Sequence, residues 1–132
     1  MDEEDFGVKS KRVLTKLKEL AQLENFLEQC GRDAFGIDSI SRSFGNLIVY
    51  LGSRGYVVPS NGASPSELIE VIKVKSAQIS RLINYGQDLG YIDQYLDKGD
   101  RRKLPVRLTK RGERAYHTFV EIFDREREKS LD

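Results

Sequence analysis

Residues 97–112, with the sequence DKGDRRKLPVRLTKRG, are the most informative stretch of this chain. Gly99 suits a tight turn between two β-strands, and Thr109 is a typical N-cap for a helix that follows at once. The turn is surrounded by the cationic side chains of Lys98, Arg101, Arg102 and Lys103. Cations held on a hairpin can lie against nucleic-acid phosphates and replace released counterions, which strengthens binding. The stretch therefore predicts a DNA-binding wing.

Two short strands are predicted on either side of this turn. Residues 91–96, YIDQYL, alternate in the manner of a strand, and residues 104–108, LPVRL, return as its partner. Within the return strand, Pro105 has no backbone N–H to donate. We therefore expect this strand to lie at an edge of the sheet, or to turn its missing donor outward.

A helix with a clear start signal lies upstream of the hairpin. Ser64 is its predicted N-cap, Pro65 occupies the first helical position, and Glu67 completes a capping box with Ser64. The helix is expected to end at about Ile72. A second helix follows it, and two helices followed by a hairpin predict a winged helix-turn-helix.

The second helix of the pair is predicted to end before Gly90. Because Lys75 stands where a Ser or Thr cap is more common, we expect the helix to start one residue later, at Ser76. Its outward residues are the predicted DNA contacts of this helix, namely Lys75, Ser76, Ala77, Gln78, Ser80, Arg81 and Asn84. Side-chain amides pair with adenine, arginine pairs with guanine, and an alanine methyl contacts thymine. The same composition is also typical of an ordinary solvated helix.

Two helices are predicted before this unit, and both are interpreted as scaffold. From Lys9 to Cys30 the apolar residues recur at three- and four-residue steps, and Gly31 is expected to end that helix. The next helix is expected to begin with Asp38 or Ser39 as its cap and to run until residues 53–55.

Residues 56–63 connect the scaffold to the helix pair. The segment YVV at 56–58 has the composition of a short strand. The segment PSNGA at 59–63 has the Pro, Asn and Gly content of a turn or a flexible loop.

The last helix is predicted to begin at the Thr109 cap and to carry a broad apolar face. Its apolar residues are Ala115, Tyr116, Phe119, Val120, Ile122 and Phe123. An exposed face of this kind usually marks an interface, which favours dimerisation. The alternative is that the face packs onto the chain's own first helix. We interpret 1–132 as one domain, with scaffold helices at 8–54, a DNA-binding unit at 55–108 and a dimerisation helix at 109–129.

Composition predicts a soluble, cytoplasmic protein with no membrane association. Of the 132 residues, 39% are hydrophobic and 33% are charged, and no apolar run approaches the roughly 20 residues that cross a bilayer. The net charge of +1 is uneven, because residues 55–112 carry 10 Lys and Arg against 6 Asp and Glu while both flanking segments are acidic. A basic centre suits nucleic-acid binding, although charge runs are usually solvated faces.

The residues favour neither catalysis nor a metal or cofactor. His117 and Cys30 are the only imidazole and thiol, so one chain cannot assemble the three or four nitrogen and sulfur ligands of a usual zinc site. The sequence has no Gly-rich phosphate loop and no nucleophile with an adjacent base. We therefore predict a protein that is not an enzyme and has no resident cofactor. Cys30, which has only Arg32 as a cationic neighbour, is interpreted as a structural thiol rather than a redox sensor.

From about Phe44 to Phe119, the chain resembles the multiple-antibiotic-resistance regulator (MarR) family of winged helix-turn-helix transcription factors. The family's wing pattern is Asp-x-Arg, three residues, then Val-x-Leu-Thr-x-x-Gly, and it is matched by Asp100, Arg102, Val106, Leu108, Thr109 and Gly112. Upstream, the helix pair has further matches at Ser66, Glu67, Leu68, Ser80, Arg81 and Leu82. The resemblance implies a mainly α fold with a small β-hairpin wing (α+β), flanked by N- and C-terminal dimerisation helices.

The resemblance also implies roles for individual residues. Arg102 would enter a minor groove, where narrow A·T-rich sequences concentrate negative potential, and Asp100 would hold the wing tip. The residues implied in the major groove are Gln78, Ser80, Arg81 and Asn84. The residues implied to contact phosphates are Lys75, Ser76, Lys98, Arg101 and Lys103. The implied partners are double-stranded DNA, a second copy of the chain and an unidentified small-molecule effector, and the implied activity is repression.

Some interpretations remain open at this level. A winged helix can also serve as a protein-interaction module that does not read DNA sequence, because fold does not fix function. Four tyrosines can line a ligand pocket or form amphipathic edges of the core, and we favour the core for Tyr50, Tyr56, Tyr85 and Tyr116. The chain departs from the family in its longer loop at 59–63, and in having room for one helix after Gly112 where the family commonly has two.

Overall fold

The computed structural model describes residues 5–35, 41–99 and 104–131. The described chain contains five helices and two short strands, which are α1 (Phe6–Phe35), α2 (Arg42–Ser53), α3 (Pro65–Ile72), α4 (Ser76–Asp88), β1 (Ile92–Gln94), β2 (Val106–Leu108) and α5 (Lys110–Leu131). The predicted fold class, mainly α with a small β-hairpin, is confirmed. Within these ranges, no helix combines the length with the apolar composition that a membrane-spanning segment needs.

The predicted start and end of α3 are confirmed, but only the Ser64 half of the predicted capping box forms, because the Glu67 carboxylate accepts hydrogen bonds from Tyr50 and Tyr56 instead. The Ser64 hydroxyl accepts a hydrogen bond from the Glu67 backbone N–H at 3.1 Å, and Pro65 is the first helical residue. The helix ends at Ile72, and its C-cap residue, Lys73, has a left-handed backbone with φ of 61°. Most helices place glycine at such a position, because a side chain is strained there. The turn between α3 and α4 is therefore made by a strained lysine.

Helix α4 begins at Ser76, as predicted. Lys75 is the N-cap residue, and its side chain makes no capping hydrogen bond. The helix ends at Asp88, and Gly90 follows with φ of 79°, a conformation that reverses the chain towards β1. Glycine adopts this conformation without strain.

The hairpin has the predicted antiparallel pairing, but β2 is not an edge strand. Asp93 on β1 pairs with Arg107 on β2. On its other side, the first residue of β2, Val106, exchanges two backbone hydrogen bonds with Ala63, at 2.7 and 2.8 Å. Of the two predicted alternatives, an edge position or an outward-turned donor, the edge position was therefore wrong. Pro105 is tolerated because it precedes the first residue of the strand, where no ladder donor is needed.

The connecting segment 56–63 pairs with the outer side of β2, and its predicted turn is present at residues 58–59. The predicted strand at 56–58 forms a single parallel bridge between Val57 and Leu108. The predicted loop at 59–63 ends in the antiparallel bridge between Ala63 and Val106. Both bridges cover the side of β2 that faces away from β1. Backbone pairing between segments more than 40 residues apart was not visible in the local composition.

Helix α1 extends beyond its predicted end. It continues through Gly31 to Phe35, whereas Gly31 was expected to terminate it. A glycine inside a helix costs only about 1 kcal/mol, and α1 packs along α5, so tertiary packing outweighs the local stop signal. The interpretation of the Cys30 thiol falls outside the description, because its side chain is not among the described ones.

Helix α2 begins later than predicted. Its N-cap is Ser41, whose hydroxyl accepts from the Phe44 backbone N–H at 3.1 Å. The predicted caps, Asp38 and Ser39, lie outside the described residues. A Ser, Asp or Asn at any of these positions can cap a helix, so the local sequence does not choose among them.

The core is built mainly from α2, the helix pair, the hairpin and the first half of α5. Its fully buried large side chains are Phe44, Leu47, Ile48, Leu51, Leu68, Ile79, Val106 and Leu108. Ala115 and Phe119 of α5 are buried in this same core, and the Phe123 ring lies 4.7 Å from the Phe26 ring of α1. Most of this α5 face therefore packs within the chain, although Val120 is exposed, and its use as a dimer surface remains a prediction.

Candidate nucleic-acid interface

Helix α4 separates its residues cleanly into a buried and an exposed face. Ile79, Leu82 and Ile83 pack into the core. On the opposite face, an exposed stripe at i, i+3, i+4 and i+7 spacing consists of Ala77, Ser80, Arg81 and Asn84. The polar composition of this stripe is therefore available to a partner, and no acidic side chain belongs to it.

The first turn of α4 extends this exposed surface. Lys75, Ser76 and Gln78 are also exposed, so all seven predicted contact residues of the helix are accessible. The Ser80 hydroxyl donates to the Ser76 carbonyl oxygen at 3.2 Å. The Ser80 hydroxyl oxygen can therefore accept a hydrogen bond from a partner, whereas its proton is already donated within the helix. The only acid on α4 is Asp88, in its last turn.

The wing is described at its base but not at its tip. Lys98 is exposed, and the neighbouring Asp97 carboxylate accepts from the Gly99 backbone N–H at 2.8 Å. The other predicted wing residues, Asp100, Arg101, Arg102 and Lys103, lie outside the described residues. Their roles therefore remain predictions.

One guanidinium group, that of Arg107, organises the base of the wing. Its Nε donates to Asp93 Oδ2 at 2.8 Å across the hairpin, and its Cζ lies 4.1 Å from the centre of the Tyr95 ring. Its Nη1 donates to the carbonyl oxygens of Ser60 at 3.0 Å and Pro59 at 3.3 Å. Arg107, which belongs to β2, thus links the other arm of the hairpin to the loop that precedes α3.

Tyr95 adds a further link between the same segments. Its hydroxyl oxygen accepts a hydrogen bond from the Gly62 backbone N–H at 2.9 Å. Arg107, Asp93 and Tyr95 were not among the predicted functional residues. A signal was present, because aligning the two predicted strands places Asp93 opposite Arg107, and opposite charges in such a pair stabilise a hairpin.

A carboxylate joins α2 to α3 at the start of the helix pair. Glu67 Oε2 accepts hydrogen bonds from the hydroxyl groups of Tyr50 at 2.6 Å and Tyr56 at 3.0 Å. The hydrogen bond to this carboxylate raises the pKa of Tyr50 above its usual value. Hydrogen bonding to Tyr56 likewise raises the pKa of Arg54. The Glu67 carboxylate is therefore directed towards α2 and the connecting segment.

A cavity of about 400 Å³ lies between α2 and α5. Its lining residues are Arg42, Gly45, Asn46, Val49, Phe119, Val120, Phe123 and Asp124. None of the four tyrosines considered for a pocket lines it. Tyr50 and Tyr56 bind Glu67, and Tyr85 packs edge-on against Phe44. This arrangement agrees with the interpretation of these tyrosines as edges of the core.

Comparison with solved structures identifies the architecture. The chain superposes on FabT of Streptococcus pneumoniae in complex with DNA with a TM-score of 0.69 at 20% identity, over 97% of this chain and 82% of FabT. The chain has a winged helix-turn-helix fold. In this winged helix, α3 and α4 form the helix-turn-helix, and β1 with β2 forms the wing.

Two further structures have the same winged helix. The heme sensor protein PefR from Streptococcus agalactiae in complex with heme gives a TM-score of 0.68 at 18% identity, over 97% of this chain and 80% of PefR. The MepR–DNA complex of S. aureus gives a TM-score of 0.61 at 19% identity, over 94% of this chain and 89% of MepR. No protein-family model and no curated protein sequence matches the chain. At these identities, the likeness concerns the fold.

Proposed function

We propose that this winged helix is a transcription regulator of the MarR type that binds double-stranded DNA sequence-specifically. The observation that carries the proposal is the exposed stripe of α4, in which Ala77, Ser80, Arg81 and Asn84 share one face without an acid. Such a face can approach base edges without electrostatic repulsion from phosphates. The likeness to FabT and MepR, both solved in complex with DNA, supports the same conclusion. Repression is the proposed direction of regulation.

The proposed interface has two parts. Helix α4 enters the major groove, where Gln78, Ser80, Arg81 and Asn84 contact bases and Ala77 approaches a thymine methyl. The wing tip follows the neighbouring minor groove, into which Arg102 inserts while Asp100 holds the tip. Phosphates are contacted by Lys75, Ser76, Lys98, Arg101 and Lys103.

Selection of bound sequences from a random pool of duplex DNA tests this function. We expect an enriched motif that binds at least about a thousandfold more tightly than random duplex at fixed salt. Arg81→Ala should weaken binding to the motif and relax its preference at one base position. A protein-interaction module would instead bind all duplexes weakly and equally, because only charge would be recognised. Binding without enrichment would therefore refute the proposal.

We propose that the regulator is a homodimer whose second copy covers the N-terminal half of α1. The apolar residues there, Val13, Leu14, Leu17, Leu20 and Leu23, are each between 40% and 58% exposed. Leu17 and Phe26 are nine residues apart, or two and a half helical turns, so they lie on opposite sides of the helix. Since Phe26 packs on the chain's own α5, the Leu17 side is free for a partner. An exposed apolar stripe of this length is unusual in a monomer.

Charge favours an antiparallel pairing of the two α1 helices. Residues 6–18 carry five Lys and Arg and no acid, whereas residues 19–35 carry four acids and one Arg. An antiparallel partner places the basic half of each helix beside the acidic half of the other, and a two-fold axis generates this arrangement naturally. Parallel helices would instead place like charges side by side.

A small apolar effector is the second proposed partner. The cavity between α2 and α5 has a volume within the usual range for ligand sites, and Val49, Phe119 and Phe123 give it an apolar lining. Because α2 contacts α3, a ligand there can bias the position of the helix pair. Calorimetric titration of the dimer with small aromatic compounds tests this site, and Val49→Trp should abolish any binding by filling the cavity.

The proposal includes no catalytic step and no resident cofactor. We propose that the chain acts in the cytoplasm, as a single domain 1–132 whose scaffold (8–54), DNA-binding unit (55–108) and C-terminal dimerisation helix (109–129) work together. If no DNA motif were enriched, the assignment of residues 55–108 as a DNA-binding unit would be refuted.

A further inference from the structure

We infer that Arg107 is the positioning residue that holds the wing in register with the helix pair, so that both can engage one DNA molecule. The effect of Arg107 on DNA binding rests on the proposed function. The contacts that Arg107 makes within the protein do not depend on that function. Arg107 belongs to β2, at the x position of the Val-x-Leu-Thr segment.

The Arg107 side chain connects three segments that are distant in sequence. Through Asp93 it holds β1, through the Tyr95 ring it holds the chain that leads into the wing tip, and through the carbonyl oxygens of Pro59 and Ser60 it holds the loop before α3. That loop leads directly into Ser64, the N-cap of α3. The wing and the helix pair are therefore joined through one planar group.

Arginine is the side chain that can make all these contacts together. Its guanidinium presents several N–H donors in a rigid plane and can also stack on an aromatic ring. Lysine supplies one compact charge, which can reach Asp93 but cannot span two carbonyl oxygens and a ring at once. The Arg107 side chain is 18% exposed and that of Asp93 is 38% exposed, so water screens this pair less than a fully exposed one.

The same geometry argues against a direct DNA contact by Arg107. Its Nε and Nη1 donors are directed at groups within the protein, and most of its surface is covered. Lys98, which lines the same polar cleft, is exposed and suited to a phosphate. Arg107 therefore affects binding through the placement of Lys98 and the rest of the wing.

A double-mutant cycle in DNA binding separates positioning from direct contact. The variants are Arg107→Gln, Arg107→Lys, Lys98→Ala and Arg81→Ala, measured singly and combined on the duplex selected for the wild type. We expect Arg107→Gln to weaken binding about tenfold and to reduce the effect of Lys98→Ala to near onefold in the combined variant. The effect of Arg81→Ala, on α4, should be the same with or without Arg107. Arg107→Lys should restore only part of the affinity.

Full additivity between Arg107→Gln and Lys98→Ala would overturn the inference, because each residue would then act independently of the other. The Arg107→Lys variant serves the same cycle if Arg107→Gln does not fold. A full restoration of affinity by lysine would also overturn it, since charge alone would then suffice.

Amide hydrogen exchange of the free full-length protein tests, without DNA, whether Arg107 holds the wing against the loop that precedes α3. The Gly62 amide, which donates to Tyr95, and the Ala63 amide, which donates to Val106, should exchange at least about tenfold faster in Arg107→Gln, while the Ile48 amide in the core of α2 should not change. Unchanged exchange at Gly62 and Ala63 would refute the positioning role. If the wild type selected no DNA motif, the proposed function would fail, and this measurement alone would decide the role of Arg107.

Discussion

The hydroxyl of Tyr50 lies 2.6 Å from Glu67 Oε2, so the last turn of α2 is hydrogen-bonded to the first turn of α3. This bond crosses from the scaffold to the helix pair that is proposed to bind DNA. The same carboxylate oxygen also accepts from Tyr56, in the connecting segment. Three segments of the chain therefore meet at one charged group.

Tyr50 should make the protein less stable in alkaline solution. The hydrogen bond to Glu67 raises the pKa of Tyr50 above its usual value of 10.0, so the folded state binds the phenolic proton more tightly than the unfolded chain does. The stabilisation is fully present below pH 10 and is lost as the pH rises through the folded-state pKa. Urea unfolding at pH 8 and above pH 10 should show this loss in the wild type and a smaller loss in Tyr50→Phe.

Tyr85→Phe is the matched control for this measurement, because it removes a phenol away from Glu67. It should keep the alkaline loss of the wild type. An identical pH dependence in Tyr50→Phe and the wild type would contradict the assignment to Tyr50.

Gly112→Ala should destabilise the fold strongly. A Cβ built at position 112 would lie 2.2 Å from the backbone oxygen of Tyr91, and a backbone atom cannot move aside as a flexible side chain can. Overpacking of this kind usually costs about 1–3 kcal/mol, and sometimes more. Gly7→Ala is the control, since its Cβ would meet only ordinary contacts at the exposed start of α1. Equal melting temperatures for the two variants would disprove the close approach.

Lys73→Gly should stabilise the protein relative to Lys73→Ala. Both changes remove the same charge, but only glycine relieves the left-handed backbone at φ of 61°. The difference in the free energy of unfolding should be about 1 kcal/mol in favour of glycine. Chemical denaturation of the two variants measures it. A more stable alanine variant would show that the turn between α3 and α4 is not strained.

Leu17→Glu should convert the proposed dimer to a monomer. Leu17 is 56% exposed in the single chain, and a carboxylate there would be buried without a partner in an α1–α1 interface. Sedimentation equilibrium at micromolar concentration measures the change. Gln22→Glu, which places the same charge on another side of α1, should remain dimeric. A wild type that sediments as a monomer would refute the interface itself.

Arg102→Ala should weaken binding to the selected DNA motif sharply while the melting temperature stays the same. The arginine is proposed to insert into a narrow minor groove, where negative potential is concentrated. Gel-shift titration measures the affinity. Arg114→Ala, an exposed arginine of α5 outside the proposed interface, is the control that should bind normally. An unchanged affinity would remove Arg102 from the site.

Features that depend on neighbouring residues were predictable from the sequence. Ser64 and Pro65 located the start of α3, because the Ser64 cap is satisfied by a hydrogen bond within one turn. The start of α4 at Ser76 also matches its prediction, although its N-cap, Lys75, makes no capping hydrogen bond. The alternation of residues 91–96 and 104–108 likewise predicted the antiparallel hairpin. The exposed stripe of α4 followed from helical spacing alone.

Features that depend on distant residues became apparent only in the folded chain. The central position of β2 comes from its pairing with Ala63, and the continuation of α1 past Gly31 comes from packing along α5. The role of Arg107 requires the loop at 59–60 to lie beside a strand 47 residues later. These contacts have no local signature, because their free energy comes from burial and hydrogen bonds that form once the chain has brought the segments together.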